Sequence, residues 1–180
     1  MHSRIALVRR APQSHATVHL GRFILDGRAY PCALGRTGIS ARKREGDGAT
    51  PHGRMSVLSG KFRQDRVARP KGLESFWSRI DARDGWCDAS FTPAYNSQVA
   101  LPHSQAHEVM TRDDHLYDRL IILDWNITRR GQTRGSAIFM HQARLEQSGM
   151  QPTEGCIALP APVFAKLSGR LAQLHAVVVL

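Results

Sequence analysis

The sequence is short of cysteine, short of acidic residues and without any long apolar run. Cys32, Cys87 and Cys156 are the three cysteines in 180 residues, and no two of them form a C-x-x-C pair. An odd count without zinc-like spacing argues against a disulfide framework and against a structural metal site. At least one thiol is therefore free. No stretch approaches the ~20 apolar residues of a membrane-spanning helix, which argues against stable membrane insertion, and the apolar run at residues 5–8 is too short for a secretory signal. Internal repeats and low-complexity tracts are missing as well. Asp and Glu number 15 against 25 Lys and Arg, a net charge of +10. Such an excess attracts polyanions at long range, but the arginines are scattered from Arg4 to Arg170, with small clusters at Arg42-Lys43-Arg44 and Arg129-Arg130. Scattered charge reads as a solvated surface, so no nucleic-acid partner is expected.

What is present suits one globular domain: 42% hydrophobic and 22% charged residues in a length able to bury a sizeable core. Residues 5–8, 18–25 and 29–34 are short runs of β-formers, and Asp26-Gly27 between the last two is a hairpin signal. Residues 35–54 are rich in Gly, Arg and Lys and read as a long loop, with a return to strand at 55–58. Residues 60–116 lack a sustained period and read as loops of the kind that form lids or binding surfaces. A short helix is expected at 107–110. Compact apolar runs at 120–123 and 137–140 suit buried strands. After Pro160, Val163, Phe164, Leu167, Leu171 and Leu174 share a helical face, and residues 177–180 suit a last strand.

Chemistry concentrates in three places: His141 at the end of an apolar strand, the stretch Thr153-Glu154-Gly155-Cys156, and the loop from Lys43 to Gly53. A thiol near pKa ~8.5 is mostly protonated at neutral pH, and an imidazole within reach can take its proton. Gly155 leaves room for backbone N–H groups to face a tetrahedral oxyanion. Taken singly, a cysteine ahead of apolar residues and a histidine at a strand end are more often core residues. His52, His103 and His107 have no matching Cys or carboxylate spacing for a metal.

Taken together, the motifs resemble a known family. His141 followed after a mid-length loop by Thr153-x-Gly155-Cys156 resembles the signature of the YkuD-type L,D-transpeptidases, a His and then [Ser/Thr]-His-Gly-Cys. Upstream, Gly46-Asp47-Gly48-x-Thr50-Pro51-x-Gly53 is similar to the family's Gly-Asp-x-x-Thr-Pro-x-Gly loop, in the same order and separation. Asp84-Gly85-Trp86-Cys87-Asp88, Pro93-Ala94-Tyr95-Asn96 and residues 135–144 resemble a short, proteobacterial-type branch.

The resemblance implies a mainly β fold, a YkuD-like β-sandwich with long loops and a C-terminal peripheral helix, with residues 1–180 as a single catalytic domain. It implies Cys156 as nucleophile and His141 as base and then acid, with the Gln142 carbonyl orienting the imidazole and Gly155 serving the oxyanion. The reaction would join peptidoglycan stem peptides through a Cys thioester, without a cofactor, in the periplasm or cell envelope. Glu154 stands where most members have His, and Ala158 where many have Arg. An acidic neighbour opposes the thiolate unless turned away or paired; Arg144 is the partner expected here. The departure points to substrate reading and to a donor at the first stem residue, a 1,3-type link from L-Ala to diaminopimelate, instead of the usual 3,3-type. Glu154, Arg144, Arg134, Trp86 and Tyr95 are the substrate-binding candidates: Arg144 and Arg134, and Arg130 with them, suit bidentate contacts to substrate carboxylates, while Trp86 and Tyr95 suit aromatic core packing as well as a peptide groove. An L,D-amidase or carboxypeptidase would hydrolyse the same thioester with the same residues; a noncatalytic polyanion-binding module would need neither motif. Oligomeric state is not legible.

Overall fold

An Asp-Gly step between two apolar segments makes the first hairpin. The computed structural model describes residues 4–12 and 17–180. In it β1 (Ile5–Arg10) lies antiparallel to β2 (Leu20–Leu25), and Asp26 and Gly27, at φ 50° and 75°, reverse the chain into β3 (Arg28–Ala33). Two successive left-handed residues match the twist of the flanking strands. The Gly-rich loop that follows is closed by a parallel ladder of two short strands, β4 (Ile39–Ser40) and β5 (Thr50–Pro51). Then come β6 (Gly53–Phe62), a 3-10 turn at Glu74–Phe76, and β7 (Trp77–Arg79).

β8 (Asp84–Cys87), β9 (Ser97–Ala100) and β10 (His107–Val109) form a separate antiparallel sheet with β8 in the middle. The helix expected at 107–110 is a strand: His107 pairs with Cys87 and Val109 with Gly85. A segment this short takes its conformation from the edge it pairs with, and that partner lies some twenty residues upstream. The chain ends with β11 (Arg119–Leu123), β12 (Phe139–Gln142), the hairpin β13 (Leu145–Glu146) and β14 (Gly149–Met150), β15 (Ile157–Leu159), α1 (Ala161–Leu171) and β16 (Ala176–Val179).

Nine strands build the main sheet in the order β11-β12-β15-β3-β2-β1-β16-β6-β7, and β6 also pairs with β11. The ten-residue β6 thus gives residues 53–56 to β16 and residues 57–62 to β11, which curls the sheet back on itself. Among the described residues the fold is mainly β with one α-helix, near the C-terminus, as the resemblance implies. α1 starts after Pro160, carries Pro162 in its first turn where a missing N–H costs nothing, and buries Phe164, Leu167 and Leu171.

β11 and β12 separate two cores. Their alternating side chains send Ile121, Leu123 and Met140 into the larger one, with Phe23, Leu25, Cys32 and the helix face, while Leu120, Ile122 and Phe139 point into a smaller one with Trp86, Met110, Tyr117 and Cys156. Period-two alternation with both faces covered explains why these strands read as unbroken apolar runs. It also puts His141, two residues after Phe139, on the smaller-core side.

Candidate active site

The Gly-rich loop is knotted by Asp47. Its carboxylate accepts from Lys43 Nζ at 2.5 Å and from the backbone N–H groups of Arg44 and Ala49 at 2.7 and 2.9 Å. Burial raises the Asp47 pKa, but these donors outweigh it and hold the group below its ordinary value. So fixed, the loop delivers Thr50 to the thiol-bearing segment. The hydroxyls of Thr50 and Thr153 both donate to the Cys156 carbonyl, at 3.4 and 2.7 Å. Gly155 sits at φ 138°, and a Cβ there would lie 2.8 Å from the Ala49 carbonyl. Only glycine tolerates both that conformation and that approach. The two sequence motifs, about a hundred residues apart, form one hydrogen-bonded unit.

Cys156 immediately precedes β15, whose parallel pairing with β12 sets Ile157 beside Met140 and Ala158 beside His141. Its Sγ accepts from the Phe139 N–H at 3.3 Å and donates to the Ala137 carbonyl at 3.2 Å. Ala137 adopts φ 52°, a left-handed conformation that costs a side-chain-bearing residue ~1–2 kcal/mol. Asn96, fully buried, holds it there: Asn96 Oδ1 accepts from the Ala137 N–H and from Trp86 Nε1, each at 3.0 Å, and its Nδ2 donates to the Trp125 and Asn126 carbonyls.

His141 Nδ1 lies 2.7 Å from the Gln142 carbonyl. A carbonyl only accepts, so the proton is on Nδ1 and a neutral ring presents a bare Nε2. Burial pulls the His141 pKa down to about 4, against the opposing pull of the Gln142 bond. Burial, and after it the charge of Glu108, pushes the Cys156 thiol up to about 12. With the base lowered and the acid raised, the resting state is a neutral thiol and a neutral imidazole in one cleft. The Tyr117 ring stands edge-on to His141, centroids 5.4 Å apart, and its hydroxyl donates to Glu108 Oε2 at 2.6 Å.

Cys156 and His141 open into the same cleft, of about 220 Å³, whose walls include Glu108, Arg112, Tyr117 and Arg144. A second cleft of about 240 Å³ reaches Cys156 from the side of Lys43, Glu45 and Asp88. A buried thiol, an imidazole with one free nitrogen, and two approaches to the sulfur are what acyl transfer through a thioester requires. Residues 4–179 match the family model of YkuD, the L,D-transpeptidase catalytic domain.

The chain belongs to the YkuD family.

Searches of curated proteins and of solved structures gave no match. Within this YkuD chain the sequence-based site residues divide. Cys156, His141, Glu154 and Arg144 line the first cleft. The Gly155 N–H donates to the Thr153 hydroxyl at 3.1 Å, so it is engaged locally and not aimed at the thiol; what glycine supplies is the backbone turn. Glu154 pairs with Arg36, whose Nε lies 3.0 and 3.1 Å from its two oxygens, while Arg144 pairs with Asp114 at 3.2 Å. The expected partnership of Glu154 with Arg144 is therefore replaced by one across the Gly-rich loop. Trp86 and Tyr95 are buried and absent from the walls of both clefts: Trp86 supports Asn96, and the Tyr95 hydroxyl bonds Glu45. Arg134 and Arg130 are exposed and also lie outside both clefts.

Sequence reasoning missed Glu108, Arg112 and Tyr117, and took Lys43 only as the start of the Gly-rich loop. Glu108 and Arg112 fall in the stretch read as irregular and Tyr117 just after it, where a dense run of charged residues broken by one tyrosine was the only cue. Among the described residues no group of three or more His, Cys, Asp and Glu could hold a metal ion, and no helix is long and apolar enough to cross a membrane.

Proposed function

We propose that this YkuD domain cross-links peptidoglycan stem peptides through a thioester on Cys156. The observation that carries the reading is the shared cleft: a thiol held by Ala137 and Phe139 and an imidazole whose Nδ1 is committed to Gln142. As Cys156 Sγ attacks the donor carbonyl, its proton passes to His141 Nε2; the donor C–N bond breaks and His141 returns the proton to the leaving amine. An acceptor amine then attacks the thioester carbonyl, and the sulfur leaves and regains a proton. Proton transfer accompanies attack, because burial disfavours a standing thiolate–imidazolium pair. The thiol turns from Ala137 to His141 when substrate enters, a tightening common on passing from the free to the bound state.

We take the donor carbonyl to be that of the first stem residue, on the strength of the Glu154 departure, and the setting to be the periplasm or cell envelope, since the family usually acts outside the cytoplasm. The test incubates pure protein with diaminopimelate-containing stem peptides and weighs the products. A dimer whose fragments link L-Ala to diaminopimelate supports the full reading, and a 3,3-linked dimer corrects the donor. Trimmed monomers alone would replace transpeptidation by hydrolysis, and no product in either form would remove the enzyme reading.

A further inference from the structure

The two clefts that meet at Cys156 differ in charge. Arg112 and Arg144, both tied to Asp114, stand in the first. In the second, the lysine Lys43 is already committed to Asp47, and the ionisable groups that remain beside Cys156 are the carboxylates of Glu45, Asp88, Glu108 and Glu154. Asp88 keeps a fully buried Oδ1 with no hydrogen-bond partner. Glu108 has the Tyr117 hydroxyl as its bonded partner, at 2.6 Å. Among the described residues neither makes an ion pair, whereas Glu154 is paired with Arg36. Glu108 also borders both clefts, as Cys156 does, so a group entering from the acidic side meets Glu108 on its way to the sulfur.

An amine that resolves a thioester arrives as an ammonium ion at neutral pH and must lose a proton before it can attack. We propose that Glu108 is the base that takes this proton from the acceptor ammonium, in the second half-reaction of the function proposed above. The ammonium docks in the acidic cleft by charge complementarity and gives one proton to the Glu108 carboxylate. The neutral amine then forms its bond to the thioester carbonyl, and its second proton leaves through His141 to the departing Cys156 sulfur. Glu108 afterwards releases its proton to solvent, which balances the exchange of an ammonium and a thioester for an amide, a thiol and one proton.

Two features fit Glu108 for the task. Burial pushes its pKa up; the Tyr117 hydroxyl and Arg112 pull it down, while Asp88 and Asp114 push it further up. A carboxylate raised towards neutrality is the better match for a base working near pH 7. And the bond to Tyr117, a buried ring locked against His141 and Phe139, fixes the carboxylate relative to the catalytic pair. Water needs no such docking, so the arrangement favours an amine over hydrolysis.

The experiment uses the full chain with its thioester loaded by a donor stem peptide, and follows intact mass as one of two nucleophiles is added. One is a diaminopimelate peptide, cationic at neutral pH; the other is hydroxylamine, which is unprotonated there. For Glu108→Gln the expected result is a loss of roughly 10²–10⁴-fold in resolution by the peptide amine, with loading and hydroxylamine resolution each moving less than tenfold. Glu108→Asp should recover part of the lost rate. Equal losses with both nucleophiles, or a loaded Glu108→Gln protein that resolves with the peptide amine as fast as wild type, would overturn the assignment. If wild-type protein forms no thioester at all, the function proposed above fails first and Glu108 falls with it. If it loads and Glu108→Gln is unaffected, that function stands and the role of Glu108 alone is wrong.

Discussion

Cys32 and Cys156 are both buried free thiols, and burial pushes each up to about 12. Their surroundings differ in every other respect. Cys32 sits in the larger core on β3, paired with Gly21 and enclosed by aliphatic and aromatic side chains, with no hydrogen bond at sulfur among the described residues. Cys156 sits at the rim of the smaller core, with the Phe139 N–H and the Ala137 carbonyl at its sulfur, His141 in the same cleft and two openings towards solvent. Burial alone therefore says nothing about reactivity. What distinguishes the second thiol is a polar frame inside an apolar layer: Trp86, Asn96 and a left-handed Ala137 hold one side of it, and Thr50 and Thr153 hold the other.

The sharpest way to break this contrast is to delete each sulfur. Cys156→Ala should abolish product formation in a muropeptide assay. Cys32→Ala should keep most activity and lose stability on the order of 1 kcal/mol from a small cavity, read from the denaturation midpoint. Substantial turnover in the first, or none in a folded second, would reverse the roles assigned here.

Next in size is the base. His141→Ala should lower kcat roughly 10²–10⁴-fold. Because burial holds His141 at about 4, the wild-type kcat/KM should climb with pH through that value and be level from about pH 5.5 upward, a limb the variant lacks.

The same group sharpens the contrast in stability. Its folded pKa lies below the ordinary 6.5, so between pH 6.5 and 4 the unfolded chain binds the extra proton and stability falls as the medium is acidified. The loss across that window is on the order of 3 kcal/mol for the shift from 6.5 to about 4, and His141→Gln should remove it from the difference between urea melts at pH 7 and pH 4. Equal acid losses in both proteins would mean that burial does not hold the ring neutral.

The smallest effect belongs to the Arg36–Glu154 pair, exposed on both sides. Glu154→Gln should cost less than about 1 kcal/mol of stability and leave alkylation of Cys156 by a small neutral reagent nearly as fast, while changing cross-link yield or linkage. Alkylation that shifts as much as cross-linking would make Glu154 a modulator of the thiol itself.

The contrast between the thiols also marks what the sequence discloses. The Asp26-Gly27 hairpin, the apolar runs of β11 and β12 and the amphipathic α1 are local signals, each legible because period and turn chemistry act over a few residues. Cys156, His141 and the Gly-rich loop were legible by motif, and the structure adds the physical link, since Gly155 packs against Ala49 and the hydroxyls of Thr50 and Thr153 share the Cys156 carbonyl. The segment 107–110 was misread as helix because its pairing with β8 is nonlocal. Glu108 and Tyr117 stayed hidden for a similar reason: nine residues separate them, and only the packing of β10 beside the loop before β11 brings carboxylate and hydroxyl together. Trp86 and Tyr95, named both as substrate-binding candidates and as core aromatics, are buried supports.

The central claim is that one sulfur, that of Cys156, carries the acyl group between two peptides. The most direct measurement mixes the protein with donor stem peptide, quenches in acid within the first turnover, and maps the added mass by peptide digestion. The account predicts a single hydroxylamine-labile adduct on the fragment holding Cys156, formed before any product is released and missing from Cys156→Ala. Product released without such an adduct, or an adduct carried by Cys87 or Cys32, would contradict it.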